Sequence, residues 1–333
     1  MPEGGMRDTG HPVRAFSMSD RTSIMTSDHI ISAIGFCTPA GDGNFSTLEG
    51  GAIRNIVELG SDAVELSLYG EEIISGGRLI PHRVDRLVNI TRQFDVRYSV
   101  HGQIVSNFMD REHLEYQKAV VRAMLELCDR VGAEVLVHHS GHATMPAPSR
   151  LPDLDKMERD ALGEMAELAK SYGVRIALEN IFAMSDAEYR QTPAQVAETV
   201  AAVNHSSVCG LIDFSHAYIE CSRLGIDWRP QIRAMAPVTG HLHVHDSFGR
   251  PYTMTKFYHP AEATALGIGD LHLPIGWGGD IPWDEIFDEL TFLPDTFLIM
   301  EIGGEDRFST EQADSLARAR KLAERVNSRR KAA

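Results

Sequence analysis

The chain has 333 residues, 43% of them hydrophobic, enough to bury the core of one large α/β domain. Its formal net charge of −15 argues against a nucleic-acid partner, which needs a surface that displaces phosphate counterions. Four cysteines without C-x-x-C spacing give no disulfide framework, and no apolar run reaches the roughly 20 residues of a membrane span, so a cytoplasmic protein is expected.

Residues 1–28 lack the apolar centre of a signal peptide and are expected to form a flexible extension. A single catalytic domain is then expected over 29–328, with a basic tail over 329–333 that begins Arg329-Arg330-Lys331. Short apolar runs recur through this domain as strand candidates. They are 31–36, 62–68, 96–101, 133–139, 174–180, 208–213, 240–246 and 296–302. Several are apolar throughout, as in parallel strands covered on both faces. Between them lie amphipathic helical patterns. Gly60, Gly132 and Gly173 close three of these, and Thr192-Pro193 opens another as N-cap and first helical residue.

Eight strands, each followed by a helix, predict a (β/α)8 TIM barrel. The stretch from Ser247 to about Pro282 is too long for an ordinary βα connection and reads as an insertion after the seventh strand. A shorter candidate lid is 141–153, after the fourth.

Residues of a metal-binding type stand at or near the C-terminal ends of these runs, where TIM barrels build their sites. They are His101, His139, Glu179, Asp213, His243 and Glu301, with His216 three residues after Asp213. Asp270 and His272, two apart, would face the same side of an extended segment. Carboxylates and imidazoles without thiolate suit Mn²⁺, Co²⁺, Zn²⁺ or Mg²⁺ and do not choose among them. Any one of these residues has a plainer reading. A strand-end Asp or Glu is more often an N-cap, and a histidine in an apolar run is more often a bonded core residue, as for His138, His142, His241 or His245. In H-L-H-V-H the residues 241, 243 and 245 share one face, and only one need bind a cation. Salt bridges and caps do not require histidines at the same end of so many strands, so the set taken jointly favours a metal site.

At these residues the chain resembles the xylose-isomerase-like TIM-barrel superfamily, most of all its sugar phosphate isomerase/epimerase branch. The motifs are ALEN with Glu179, LIDFSHA with Asp213 and His216, HLHVHDS with His243, DLHLPIGWGGDIPW, and LIMEIGG with Glu301. The resemblance implies one divalent cation held by Glu179, Asp213, His243 and Glu301, with the two glutamates exchanging protons on a substrate carbon. It implies a substrate contact for His216 and places an arginine near Arg250. Endonuclease IV belongs to the same superfamily, and its nine-ligand, three-zinc set is matched when His101, His139, His216, Asp270 and His272 are added. In the insertion, Arg250, Lys256 and Trp277 are the expected substrate-binding residues, as cations and a ring suited to a small polar ligand.

The leading expectation is therefore an isomerase or epimerase of a small sugar, sugar phosphate or keto-sugar derivative, using one ion and at most three. The alternatives are a keto-sugar lyase or dehydratase on the same site, a multinuclear phosphoesterase, and a sugar-binding barrel without catalysis. The expected partner is a small carbohydrate, with no membrane contact; a homo-oligomer is compatible with the sequence.

Overall fold

The computed structural model describes residues 29–144, 146, 148–253, 256–302 and 308–332. The extension expected over 1–28 lies outside the described residues. Eight parallel strands form a closed barrel. They are β1 (Ile31–Cys37), β2 (Ala63–Ser67), β3 (Arg97–His101), β4 (Ala133–His139), β5 (Arg175–Glu179), β6 (Val208–Asp213), β7 (Thr239–Val244) and β8 (Thr296–Met300). Each pairs with its neighbours in sequence, and β1 with β8 closes the ring, so none is left as an open edge. All eight expected strands are present, with ends within two residues of the sequence reading.

Side chains alternate between the two faces of each strand, which separates two cores. Ile34, Phe36, Val64, Leu66, Val100, Leu136, Ile176, Leu178, Ile212, Leu242 and Leu298 pack outward against the helices. Ala33, Ala63, Val135, Val137, Ala177, Cys209, Leu211, Phe297 and Ile299 form a second cluster inside the ring. The interior is tight where β1 meets β2. A Cβ on Gly35 would stand 1.7 Å from the Ala63 carbonyl oxygen, so only glycine fits.

At the lower rim Arg97 ties four strands together. Its guanidinium donates to Glu134, Asp295 and Ser32 and lies 4.4 Å from the centroid of Phe297. At the upper rim the inward positions turn polar, and there the candidate ligands gather.

The helices end where the local chemistry says they should. Leu114–Val131 and Leu151–Tyr172 stop at Gly132 and Gly173, both left-handed at φ 77 and 69. Thr192 and Gln195 form a reciprocal capping box for Pro193–Val203. The last helix, Gln312–Ala332, extends into the stretch expected as a basic tail, and Arg329 donates to the carbonyls of Phe287 and Leu290. Among the described residues no helix is long and apolar enough to cross a membrane.

The insertion folds back over β7. Asp246 N donates to Leu273 O at 2.7 Å, and the buried Asp246 carboxylate accepts from the backbone of Gly276, Gly279 and Ser247. Gly279 comes so close that a Cβ would lie 2.2 Å from that carboxylate. The anchor brings Asp270 and His272 to the barrel mouth. The shorter segment after β4 is also clamped: His142–Thr144 pairs antiparallel with Glu188–Arg190.

Candidate metal centre at the barrel mouth

The centre follows from strand parity. Glu65 (β2), His101 (β3), Glu179 (β5), Asp213 (β6) and His243 (β7) all lie on the inward face, and all are buried. Ligand atoms of Glu179, Asp213, His243 and Glu301 lie within 4.8 Å of one another. His243 Nδ1 is 3.3 Å from Glu179 Oε1 and 3.3 Å from Glu301 Oε2. Neither Glu179 oxygen nor His243 Nδ1 has a hydrogen-bond partner of acceptable geometry. Burying such atoms without partners costs several kcal/mol in general, so a cation among them is the economical arrangement. The donor set fits a divalent ion with oxygen and imidazole preference.

The remaining five expected residues form the rest of the mouth. His101 Nε2 and His139 Nε2 lie 3.7 and 3.5 Å from Glu179 Oε2, their rings edge to face at 5.1 Å. His101 Nδ1–H donates to the Gly102 carbonyl, which turns Nε2 toward Glu179. His216 places Nδ1 3.2 Å from Glu179 Oε1 and Nε2 3.3 Å from Asp270 Oδ2. His272 Nδ1–H donates to Glu301 O, and its Nε2 is 2.7 Å from Asp270 Oδ2. His272 is left-handed at φ 48, so 270–272 is not the extended segment expected. The two side chains meet all the same, at the cost of local backbone strain.

Asp213 is an N-cap whose other carboxylate oxygen is turned into the mouth. Its Oδ1 accepts from His216 N at 2.7 Å as the N-cap of Phe214–Leu224, while Oδ2 faces the mouth and accepts from His245 Nε2 at 3.0 Å. Asn180 of ALEN clamps the two strand ends, with Asp213 N donating to its Oδ1 and its Nδ2 donating to Asp213 O. His245 takes part as well, stacked on His272 with centroids 4.4 Å apart. His138 is a buried core residue packed at 4.4 Å on Phe108, but not the bonded one expected, since its Nε2 has no hydrogen-bond partner.

The electrostatics follow from crowding charge in a buried place. Burial pushes the Glu179 carboxyl up, but the imidazoles of His243 and His139 outweigh it and hold it well below the ordinary range. Burial opposes ionisation of Glu301 too, and His243 brings it down to about 2. The carboxylates in turn hold His243 and His216 well above the usual imidazole value. His139 goes the other way, to about 3, because desolvation dominates. Without a cation, protons on His243, His216 and His272 would balance the carboxylates.

Several members were not visible in sequence. Glu65 is fully buried and accepts from His241 Nε2 and His243 Nε2, each at 2.9 Å. Strand alternation puts it beside Ala63 and Ser67 on the inward face, which was the available signal. Aromatic walls come from separate loops. Phe182 meets His216 edge-on at 5.0 Å and stacks on Tyr252 at 5.7 Å; Tyr69 meets His101 at 5.4 Å. Nothing in the sequence announces that these rings converge. The expected substrate residues of the insertion are exposed and engage their own neighbours. Arg250 donates to Leu266 O, Lys256 lies over Tyr258, and Trp277 packs edge-on against Phe308.

Residues 53–326 match the family described as xylose isomerase-like TIM barrel. No curated protein matches the chain. Among solved structures, a D-tagatose 3-epimerase-like protein is 20% identical with a TM-score of 0.67, covering 90% of this chain and 99% of its own. The 3-keto-D-glucoside 4-epimerase YcjR from E. coli is 18% identical with a TM-score of 0.58, covering 87% and 99%. The IolI protein, crystallised with a zinc atom, is 17% identical with a TM-score of 0.61, covering 90% and 99%. At these identities the likeness is one of fold.

Proposed function

The chain belongs to the xylose isomerase-like TIM-barrel family, and we propose that it is a divalent-cation-dependent isomerase or epimerase of a small sugar, sugar phosphate or keto-sugar derivative. The observation that carries this reading is the pair Glu179 and Glu301. Both are buried, both lie 3.3 Å from the same imidazole nitrogen, and Glu179 has no hydrogen bond of its own. The similar folds that are epimerases or epimerase-like, and the zinc atom in IolI, support it.

Glu179, Asp213, His243 and Glu301 would hold the ion, which would supply Lewis acidity toward the oxygens of a substrate carbonyl and its neighbouring hydroxyl. Glu179 is ionised at neutral pH and its oxygens make no well-formed hydrogen bond, so it can take the proton from the carbon next to that carbonyl. Glu301, approached by the same imidazole and itself ionised at rest, would first take the proton of the neighbouring substrate hydroxyl and deliver it to that carbon, while Glu179 passes the proton it removed to the oxygen left behind. His216, with Nδ1 bonded to the Asn180 carbonyl and Nε2 to Asp270, holds its ring fixed beside the substrate. The Phe182–Tyr252 stack gives an apolar face for ring carbons and keeps water from the reacting bond. A lyase or dehydratase acting on a keto-sugar would begin with the same proton abstraction.

The test is proton exchange in D₂O with a panel of ketoses and keto-glycosides, on protein reconstituted with Mn²⁺, Co²⁺ or Zn²⁺. Exchange should require the metal and disappear in Glu179→Gln. Exchange persisting undiminished in that variant would remove the acid/base role of Glu179.

A second reading rests on a separate observation. His101–His139–Glu179, Asp213–His216–His245 and His245–His272–Glu301 each bring ligand atoms within 4.8 Å as well. Two or three ions there would favour phosphoester hydrolysis by a multinuclear centre. Counting metal on purified protein separates the two: one ion per chain supports the isomerase, and two or three reverse the ranking.

A further inference from the structure

Glu65 poses a problem that the proposed chemistry does not solve. It is a carboxylate, fully buried, on a barrel face otherwise lined at its level and below by Ala33, Ala63, Val135 and Phe297. A buried charge of this kind is retained only with a full set of partners. It has them: Ser99 Oγ donates to Oε2 at 2.7 Å, His241 Nε2 to the same oxygen at 2.9 Å, and His243 Nε2 to Oε1 at 2.9 Å. An ionised carboxylate only accepts, so the geometry fixes a proton on Nε2 of both rings.

For His243 this has a consequence at the other side of the ring. With Nε2 committed to Glu65, Nδ1 is left facing Glu179 and Glu301 with no hydrogen-bond partner. Without Glu65 the neutral ring would take the opposite tautomer, because a proton on Nδ1 would find two carboxylate acceptors. That tautomer has no lone pair to offer a cation. We propose that Glu65 is a positioning residue that sets the His243 tautomer and so makes Nδ1 a ligand atom. His241 is a second clamp on the same carboxylate and is itself held by stacking on Phe297 at 5.6 Å. A carboxylate–imidazole–metal arrangement of this type changes affinity by roughly 10- to 100-fold when its outer member is removed.

The inference rests on the assignment of His243 as a ligand, so the experiment separates the two. Zn²⁺ affinity is measured by competition with a chelating dye for the wild type, Glu65→Leu and Glu301→Gln, alongside thermal unfolding of each metal-free protein. Glu65→Leu removes the acceptor at similar volume; it leaves the Ser99, His241 and His243 donors unpaired, so its metal-free form should unfold somewhat more easily than wild type, and a cooperative transition shows that it folds. Its affinity should fall by roughly 10- to 100-fold. A folded Glu65→Leu with unchanged affinity, beside a weakened Glu301→Gln, overturns the role of Glu65 alone. Unchanged affinity in both variants overturns the ligand assignment itself. A second readout covers the case in which Glu65→Leu does not fold. Nitrogen-15 NMR of the zinc-loaded wild type should show His243 protonated on Nε2 with its Nδ1 resonance shifted by the metal; the reverse pattern overturns the proposal.

Discussion

Glu158 should make the protein more stable in mild acid than in mild base. It sits fully buried on the helix Leu151–Tyr172, where Oε1 accepts from Gly141 N at 2.5 Å and Oε2 has no partner. Burial raises its carboxyl from 4.5 to about 7, against the lowering effect of the Gly141 N–H. The folded value lies above the unfolded one, so this group's contribution is fully present below about pH 4.5 and is lost as pH rises through about 7. At about 1.4 kcal/mol per tenfold change in proton affinity, the span corresponds to about 3 kcal/mol. Glu158→Gln keeps an acceptor for Gly141 and cannot ionise. Urea unfolding across this range should show the variant more stable than wild type by up to about 3 kcal/mol above neutrality, with the gap closing toward pH 4.5. A gap that does not vary with pH would refute the reasoning, since it would mean that the carboxyl is never charged in the fold or is solvated when charged.

Other consequences follow from the two rims of the barrel. Arg97→Met at the lower rim should lower stability by about 2 kcal/mol, read by denaturant, because it leaves the partly exposed Glu134 and Asp295 without their cation; Zn²⁺ affinity should be unchanged. Gly35→Ala should abolish folded expression or cost several kcal/mol, as its methyl has no space beside the Ala63 carbonyl. Stripping divalent metal with a chelator should lower the unfolding temperature, and restoring it at about a hundredfold excess over Kd should return about 2.7 kcal/mol. His138 is held down to about 4 by burial, so its contribution is present above the ordinary imidazole value and lost as pH falls through about 4; His138→Leu should move the acid-unfolding midpoint to lower pH.

The barrel was legible because parallel strands buried on both faces leave apolar runs that need no partner to be recognised. The ligand candidates were legible for a related reason: each stands where such a run ends. What the sequence hid were relations across the ring. Glu65 looks like one polar residue in an alternating strand, and its importance lies in facing His241 and His243, some 180 residues later in the chain. His245 reads as a core histidine by frequency, yet lies against Asp213 because β7 keeps its inward parity one step beyond its last ladder pair. Phe182 and Tyr252 occupy unrelated loops and meet only after the insertion folds back. The left-handed His272 could not be inferred from a D-x-H spacing, since spacing says nothing of φ.

The way the insertion is fastened has a practical meaning. Its grip on the barrel comes from Asp246 and backbone amides at Ser247, Gly276 and Gly279, none of which needs the identity of a side chain between residues 248 and 268. That intervening stretch can therefore be exchanged as a cassette if Tyr252 is kept, because its hydroxyl accepts from Asp270 N at 3.1 Å and its ring stacks on Phe182. A library over 248–268 with Tyr252 held fixed would recolour the rim of the mouth while leaving the candidate metal centre in place, and it is the natural place to redirect this barrel toward a different ligand.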